Sequence, residues 1–331
     1  MKRDLKLDCV KGVAMVLVIM GHIDYSPTQF EQWFYTFSLP LFVMTSGILL
    51  TKQFNLSTKV YIKKQMISLL YPYAVFSLIR IFQKAAFHHL IPDILNSVIK
   101  GLTLGGEGVL WYLPSLFFAE VFLFCIVKHK KYFIFSFLAG FVFLCSSYIS
   151  SQYEGISEPL WYFLNITNRT FVMILLLAAG VAWKECTHIR NYSLWSVAAV
   201  GVLLGTYIMT PLIPKPDLIY SVLGNPIVYY LEAVLNSYSI LILFYSLPFI
   251  NTWWLGWIGK NSLLIYLTHT TFWITGWAGK TVTLAGFSTP GTVMGSACLL
   301  VLCVEIPIVY IIKNWFPWLY KYPFQRKKAN P

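Results

Sequence analysis

Apolar runs long enough to cross a bilayer, or nearly so, recur at about 10–25, 34–51, 66–83, 109–127, 132–149, 163–183, 194–212, 223–249, 261–277 and 291–312. Short polar stretches separate them, and no internal repeat or low-complexity tract interrupts the series. The pattern predicts an all-α polytopic membrane bundle of about ten transmembrane helices. It reads as a single membrane-embedded domain over 1–331, with a short basic tail at 313–331. The first run is expected to stay as a helix. Asp8 and Lys11 sit close to its short apolar stretch, and no small-residue cleavage site follows.

Charge orients the bundle. With the N-terminus inside, the segments 1–9, 52–65, 128–131, 184–193, 250–260 and the tail share one side. Together with the edge residue Lys11 they carry 19 of the 25 basic residues. The six left over are Arg80, Lys84, Lys100, Arg169, Lys215 and Lys280. This asymmetry predicts both termini in the cytoplasm and an even number of spans. The outer loops are then about 84–108, 150–162, 213–222 and 278–290, and Gly105-Gly106-Glu107-Gly108 reads as a flexible turn.

Composition agrees with a membrane protein. The chain is 57% hydrophobic and 11% charged, against roughly 25% charged in soluble domains. The net charge of +12 is therefore assigned to cytoplasmic loops and not to nucleic-acid binding. The six cysteines lie in or beside apolar segments without a CxxC pair. They read as small buried hydrophobes, with no metal site implied.

Candidate chemistry begins in the first run, where Lys11 and His22 stand 11 residues apart. If the helix is continuous, that spacing is three turns plus about 20°, so both side chains share one face, roughly 16 Å apart along the axis. Each has an ordinary reading: a snorkelling interfacial lysine and an imidazole bonded to a neighbouring helix. Together they suggest a long, thin ligand. The lysine would hold phosphates at one end, and the histidine would act as general base at the other. Acyl-coenzyme A has that shape.

Further candidates follow along the chain. Pro40 and Ser46-Gly47 thin the second apolar run; Gly47 reads as a helix-packing residue and Ser46 as a substrate contact. Lys63 and Lys64 are ordinary topology signals or an extension of the phosphate site. Arg80 is expected to snorkel. Trp111 opens the fourth run and joins the substrate-binding candidates. Glu120, Glu232 with Asn236, His269 and Glu305 lie within apolar runs and are expected to face the bundle interior. There they would orient an imidazole, pair with a lysine or bind sugar hydroxyls, and the sequence does not pair them.

Several ordered motifs carry a resemblance: Asp8-Cys-Val-Lys11-Gly12 with His22, Leu39-Pro40-Leu-Phe with Ser46-Gly47, and the basic pair before Tyr71-Pro72-Tyr73. Leu110-Trp111-Tyr-Leu-Pro114 and Ile258-Gly259-Lys260-Asn261-Ser262 with Ile265-Tyr266-Leu267 and His269 complete the set. The chain resembles the acyltransferase 3 family of bacterial membrane O-acyltransferases. The resemblance implies transfer of an acyl group, usually acetyl from acetyl-CoA, to a sugar hydroxyl of a surface glycan such as O-antigen or of its lipid-linked precursor. It implies a multi-pass protein of the bacterial cytoplasmic (inner) membrane, in contact with lipid and with proteins of glycan assembly. His22 would be the essential histidine, Lys11 its paired cation and Lys64 the first residue of an Arg-x-x-Arg-like motif. Lys11 stands where arginine is commoner, and Ser68 takes the second basic position. Some relatives append an extracytoplasmic esterase domain of SGNH type. A second transfer step is here expected from another protein, or not at all.

The expected mechanism brings the phosphates of acetyl-CoA to Lys11, Lys63 and Lys64 and its thioester towards His22. A carboxylate, Glu120, would orient the imidazole. Ser46, Trp111, Glu232 and His269 would contact the acceptor. Two alternatives stay open on the residues alone. One is a transporter of small acids or acyl compounds with His22, Glu120 and Glu232 as a proton relay, although the paired repeats common in transporters are absent from the sequence. The other is a non-enzymatic component of a glycan assembly complex.

Overall fold

The computed structural model describes residues 4–23, 28–87, 91–128, 158–186 and 192–323. The chain runs through α1 (Leu5–Met20), α2 (Gln29–Tyr35), α3 (Ser38–Leu50), α4 (Thr58–Gln65), α5 (Tyr71–Phe87), α6 (Ile91–Leu102) and α7 (Tyr112–Lys128). It continues with α8 (Glu158–Cys186), α9 (Tyr192–Met209), α10 (Pro226–Ser246), α11 (Trp253–Thr271), α12 (Ile274–Leu284) and α13 (Pro290–Trp315). Among the described residues there is no strand, and seven helical segments are long and apolar enough to cross a membrane. The span expected at 132–149 lies outside the described residues.

The hydropathy pattern misjudges several boundaries. α1 stops at Met20, five residues short of the expected end, and Gly21 caps it by donating to the Leu17 and Ile19 carbonyls. The loop expected at 84–108 contains α6, a separate helix whose Ile91, Leu95 and Leu102 are exposed. Most of the inner loop expected at 250–260 is the start of α11. The span expected at 261–277 breaks at Trp273, which sits at φ 54° in the left-handed region. Hydropathy cannot see that break, because Phe272 and Trp273 are as apolar as their neighbours.

α1 is the axis of the bundle. Asp4 caps its start, accepting from the backbone N–H groups of Lys6 and Leu7. Its buried residues Leu7, Cys9, Val10, Ala14, Met15, Leu17, Val18 and Ile19 cover the whole circumference, as expected of a helix enclosed by others. It packs against α3, α10, α11 and α13. Its closest partner is α11, and the two run parallel: Asp8 meets Gly259 at one end, and His22 meets His269 at the other. Glycines make this closeness possible. A Cβ at Gly12 would collide with the Leu255 carbonyl, and one at Gly259 with the Asp8 carbonyl. A second such crossing joins α3 to α8, where Gly47 faces the Leu177 carbonyl and Gly180 the Met44 carbonyl. Gly47 is thus a packing residue.

The outer shell is apolar. On α9, Leu194, Val197, Val200, Leu204 and Ile208 are all exposed, a stripe that water would disfavour and lipid accepts.

Candidate active site

Two cavities flank the α1–α11 pair. The first, of about 330 Å³, lies at the C-terminal end of α1, lined by His22, Tyr35, Ser38, Val109, Trp111, the 215–219 loop and Tyr266. The second, of about 300 Å³, lies beside Lys11 near the middle of α1, lined also by Ser46, Gln53, Lys64, Ser68, Tyr112, Glu120, Ser262 and Tyr266. Tyr266 belongs to both linings.

His22 occupies the turn that follows α1, with its backbone N–H on the Ile19 carbonyl. The uninterrupted face expected from Lys11 to His22 therefore ends two residues early. α1 still separates Lys11, near its middle, from His22, two residues past its end, and each lines a cavity. Tyr35 braces the turn through a 2.8 Å bond from its hydroxyl to the Gly21 carbonyl. Lys215 lies 3.9 Å above the Tyr35 ring and pairs with Glu31 at 2.6 Å.

Behind His22 stands His269, fully buried on α11, with ring centroids 5.3 Å apart. His269 Nδ1 lies 2.9 Å from the Ile265 carbonyl. A carbonyl only accepts, so Nδ1 carries the proton and Nε2 is left with its lone pair. Nε2 has no partner among the described residues. Next to it, Thr270 accepts a 3.0 Å bond from Arg80, which ties α5 to the site; Arg80 reaches into the bundle and does not snorkel outward. Thr268 bonds the buried Glu305 carboxylate at 2.8 Å and holds α13 against the same helix.

Trp111 follows a turn whose shape depends on glycine. Gly106 and Gly108 adopt φ of 68° and 57°, and a Cβ at Gly106 would strike the Trp111 backbone nitrogen. The segment expected to be a flexible turn is a fitted one: Arg169 donates to the Gly105 carbonyl at 3.3 Å, and its guanidinium lies 4.7 Å above the Trp111 ring. Arg169 and Asn165 also donate to the Ile219 carbonyl, and Asp217 and Val222 exchange backbone bonds. The expected open loop at 213–222 is folded down as a wall of the His22 cavity.

In the other cavity, Glu120 accepts a 3.2 Å bond from Tyr61, and Ser46 lines the same cavity. Gln65 bonds Tyr61 in turn at 3.0 Å. Glu120, expected beside His22, thus belongs with Lys11, Lys64 and Ser46 in the opposite cavity. Lys64 donates to Gln53 at 2.6 Å. The wall here is a π turn, Met66–Leu70, between α4 and α5, and it brings Ser68 and Leu69 to the cavity. The single unwound turn re-aims side chains that an uninterrupted helix would turn elsewhere.

Three expected site residues fall outside both linings. Lys63 is exposed on α4 and forms no part of the cavity wall. Glu232 is buried on α10, one turn from Asn236, and lines neither cavity. His269 is sealed behind His22 and presents no surface to an acceptor. His22, Glu120 and Glu232, the members of the transport relay, sit at three different places in the bundle.

Sequence reasoning passed over Tyr35 and Lys215 as site residues and used Tyr266 only as part of a motif. A signal for the cations was present. Of the six basic residues left over from the inward charge bias, Lys215 lines the His22 cavity, Arg169 backs its Trp111, and Arg80 bonds the residue after His269.

Comparison with protein families settles the class. A family model described as an acyltransferase domain, that of acyltransferase 3, matches residues 4–312. The chain belongs to the acyltransferase 3 family. Comparison with characterised proteins and with solved structures finds no match. The family and the apolar helices together make the chain a multi-pass membrane acyltransferase.

Proposed function

We propose that this acyltransferase moves an acetyl group from acetyl-CoA to a hydroxyl of a surface-polysaccharide sugar or its lipid-linked precursor, in the inner membrane of a bacterium. Its termini face the cytoplasm, and the Lys11 cavity opens on that side. The observation that carries this reading is the pair of cavities, one with Lys11 and Lys64, the other with His22, sharing a wall at Tyr266.

Lys11 and Lys64 hold the donor's phosphates as point charges. Glu120, held by Tyr61, accepts an amide N–H of the pantetheine arm, so it serves the donor and not the imidazole. The arm carries the thioester towards Tyr266. The acceptor enters the His22 cavity, where Trp111, backed by Arg169, offers its ring to the apolar face of a sugar. His22 takes the proton of the acceptor hydroxyl as its oxygen bonds to the thioester carbon. The carbon–sulfur bond then breaks, and the thiolate leaves with the proton from His22. His269 is a positioning residue. Its ring packs against the His22 ring and holds that imidazole in place as the base.

His22→Ala tests the reading. The assay is release of free coenzyme A thiol from acetyl-CoA by native-cell membranes, which supply the acceptor, after insertion of the variant is verified. The rate should fall by about 10²–10⁴-fold, the contribution of a general base. An undiminished rate would refute the mechanism.

A further inference from the structure

Among the described residues Tyr266 alone lines both cavities, and its surroundings hold it there. It is 6% exposed on α11, one turn before His269, with ring centroids 5.9 Å apart. The Tyr112 ring lies 5.4 Å from it. Its hydroxyl donates to the Val109 carbonyl. That carbonyl belongs to the turn Gly108–Trp111, whose backbone is set by the left-handed Gly106 and Gly108. The ring is thus fastened at its hydroxyl and packed against Tyr112 and His269. It forms part of the wall of both the Lys11 cavity and the His22 cavity.

We infer that the Tyr266 ring sets the size of the acyl group that this enzyme transfers. The inference rests on the donor and acceptor assignment above. The thioester carbon must reach the acceptor oxygen beside His22 while its sulfur is still on the pantetheine arm in the Lys11 cavity. The reacting carbon therefore lies alongside Tyr266, and the rest of the acyl chain must occupy space next to it. An acetyl group adds one methyl there. Each further methylene competes with a ring that is pinned by Val109 and walled by Tyr112 and His269. Transfer itself is unchanged in balance: the acceptor oxygen gains the acyl carbon, the thiol gains the hydroxyl's proton, and Tyr266 exchanges nothing.

The experiment compares kcat/KM for acetyl-, butyryl- and hexanoyl-CoA in native-cell membranes carrying the full chain, read as thiol release above membranes lacking it. Wild-type protein should prefer acetyl to hexanoyl at least tenfold. Tyr266→Ala should raise the hexanoyl-to-acetyl ratio at least tenfold. Tyr266→Phe keeps the ring and should keep the wild-type ratio. Should the alanine variant fail to insert, Tyr266→Leu should raise the ratio several-fold. A ratio within twofold of wild type in the alanine or leucine variant overturns the inference, as does a phenylalanine variant that shifts as far as alanine. A wild-type chain that releases thiol from none of the three thioesters overturns the acyltransfer reading itself, and this inference with it. Activity with unchanged selectivity overturns the inference alone.

Discussion

Glu120 and His22 line different cavities. Both read from the sequence as partners in one catalytic pair, yet the carboxylate is bound by Tyr61 in the cavity of Lys11, Lys64 and Ser46, while the imidazole lies past the C-terminal end of α1 against His269. That separation has a kinetic consequence. Loss of a donor contact acts on binding, so Glu120→Ala and Lys11→Ala should raise KM for acetyl-CoA with little change in kcat. For Lys11 the rise should be about tenfold or more, since a charge-assisted bond to phosphate contributes roughly 1.5–3 kcal/mol. Lys11→Arg should be mild. Initial rates across a range of acetyl-CoA concentrations decide the matter. A Glu120→Ala variant with normal KM and a kcat reduced a hundredfold would return the carboxylate to the imidazole.

Among the helices, the α1–α11 pair carries the site, and its glycines set its spacing. Gly12→Ala would press a methyl on the Leu255 carbonyl. The helices would have to separate, at a cost of about 1–3 kcal/mol, and His22 would move relative to His269 and Tyr266. Thermal unfolding in detergent should show a lower midpoint, and thiol release should fall. Gly201→Ala on the lipid side of α9, where nothing lies within 4 Å, should leave the midpoint unchanged or slightly raised, because alanine favours helix. Equal effects of the two substitutions would contradict the close-packing account. Much of this was legible in the chain. Hydropathy locates most of the long helices, and Lys11, His22, Ser46 and Trp111 were all picked out and all line cavities. What stayed hidden follows from what hydropathy measures. It cannot register the stop at Gly21 or the left-handed Trp273, since neither changes apolarity. Nor can it see that two polar residues on different helices, such as Glu120 and Tyr61, meet only once the bundle has packed.

For the molecule as a whole, the proposed donor cavity lies beside Lys11 at the middle of α1 and the proposed acceptor cavity beside His22 past its C-terminal end, with Tyr266 in the wall of both. The charge bias of the chain puts the Lys11 end on the basic side, where Lys52, Lys59, Lys63 and Lys64 also lie. Donor and acceptor should therefore be drawn from different sides of the membrane. The most direct measurement uses sealed membrane vesicles prepared in both orientations and radiolabelled acetyl-CoA, which does not cross the bilayer. Label should pass to glycan only when acetyl-CoA is supplied on the face that carries Lys11 and Lys64. Equal transfer with acetyl-CoA supplied to the His22 face would contradict the account.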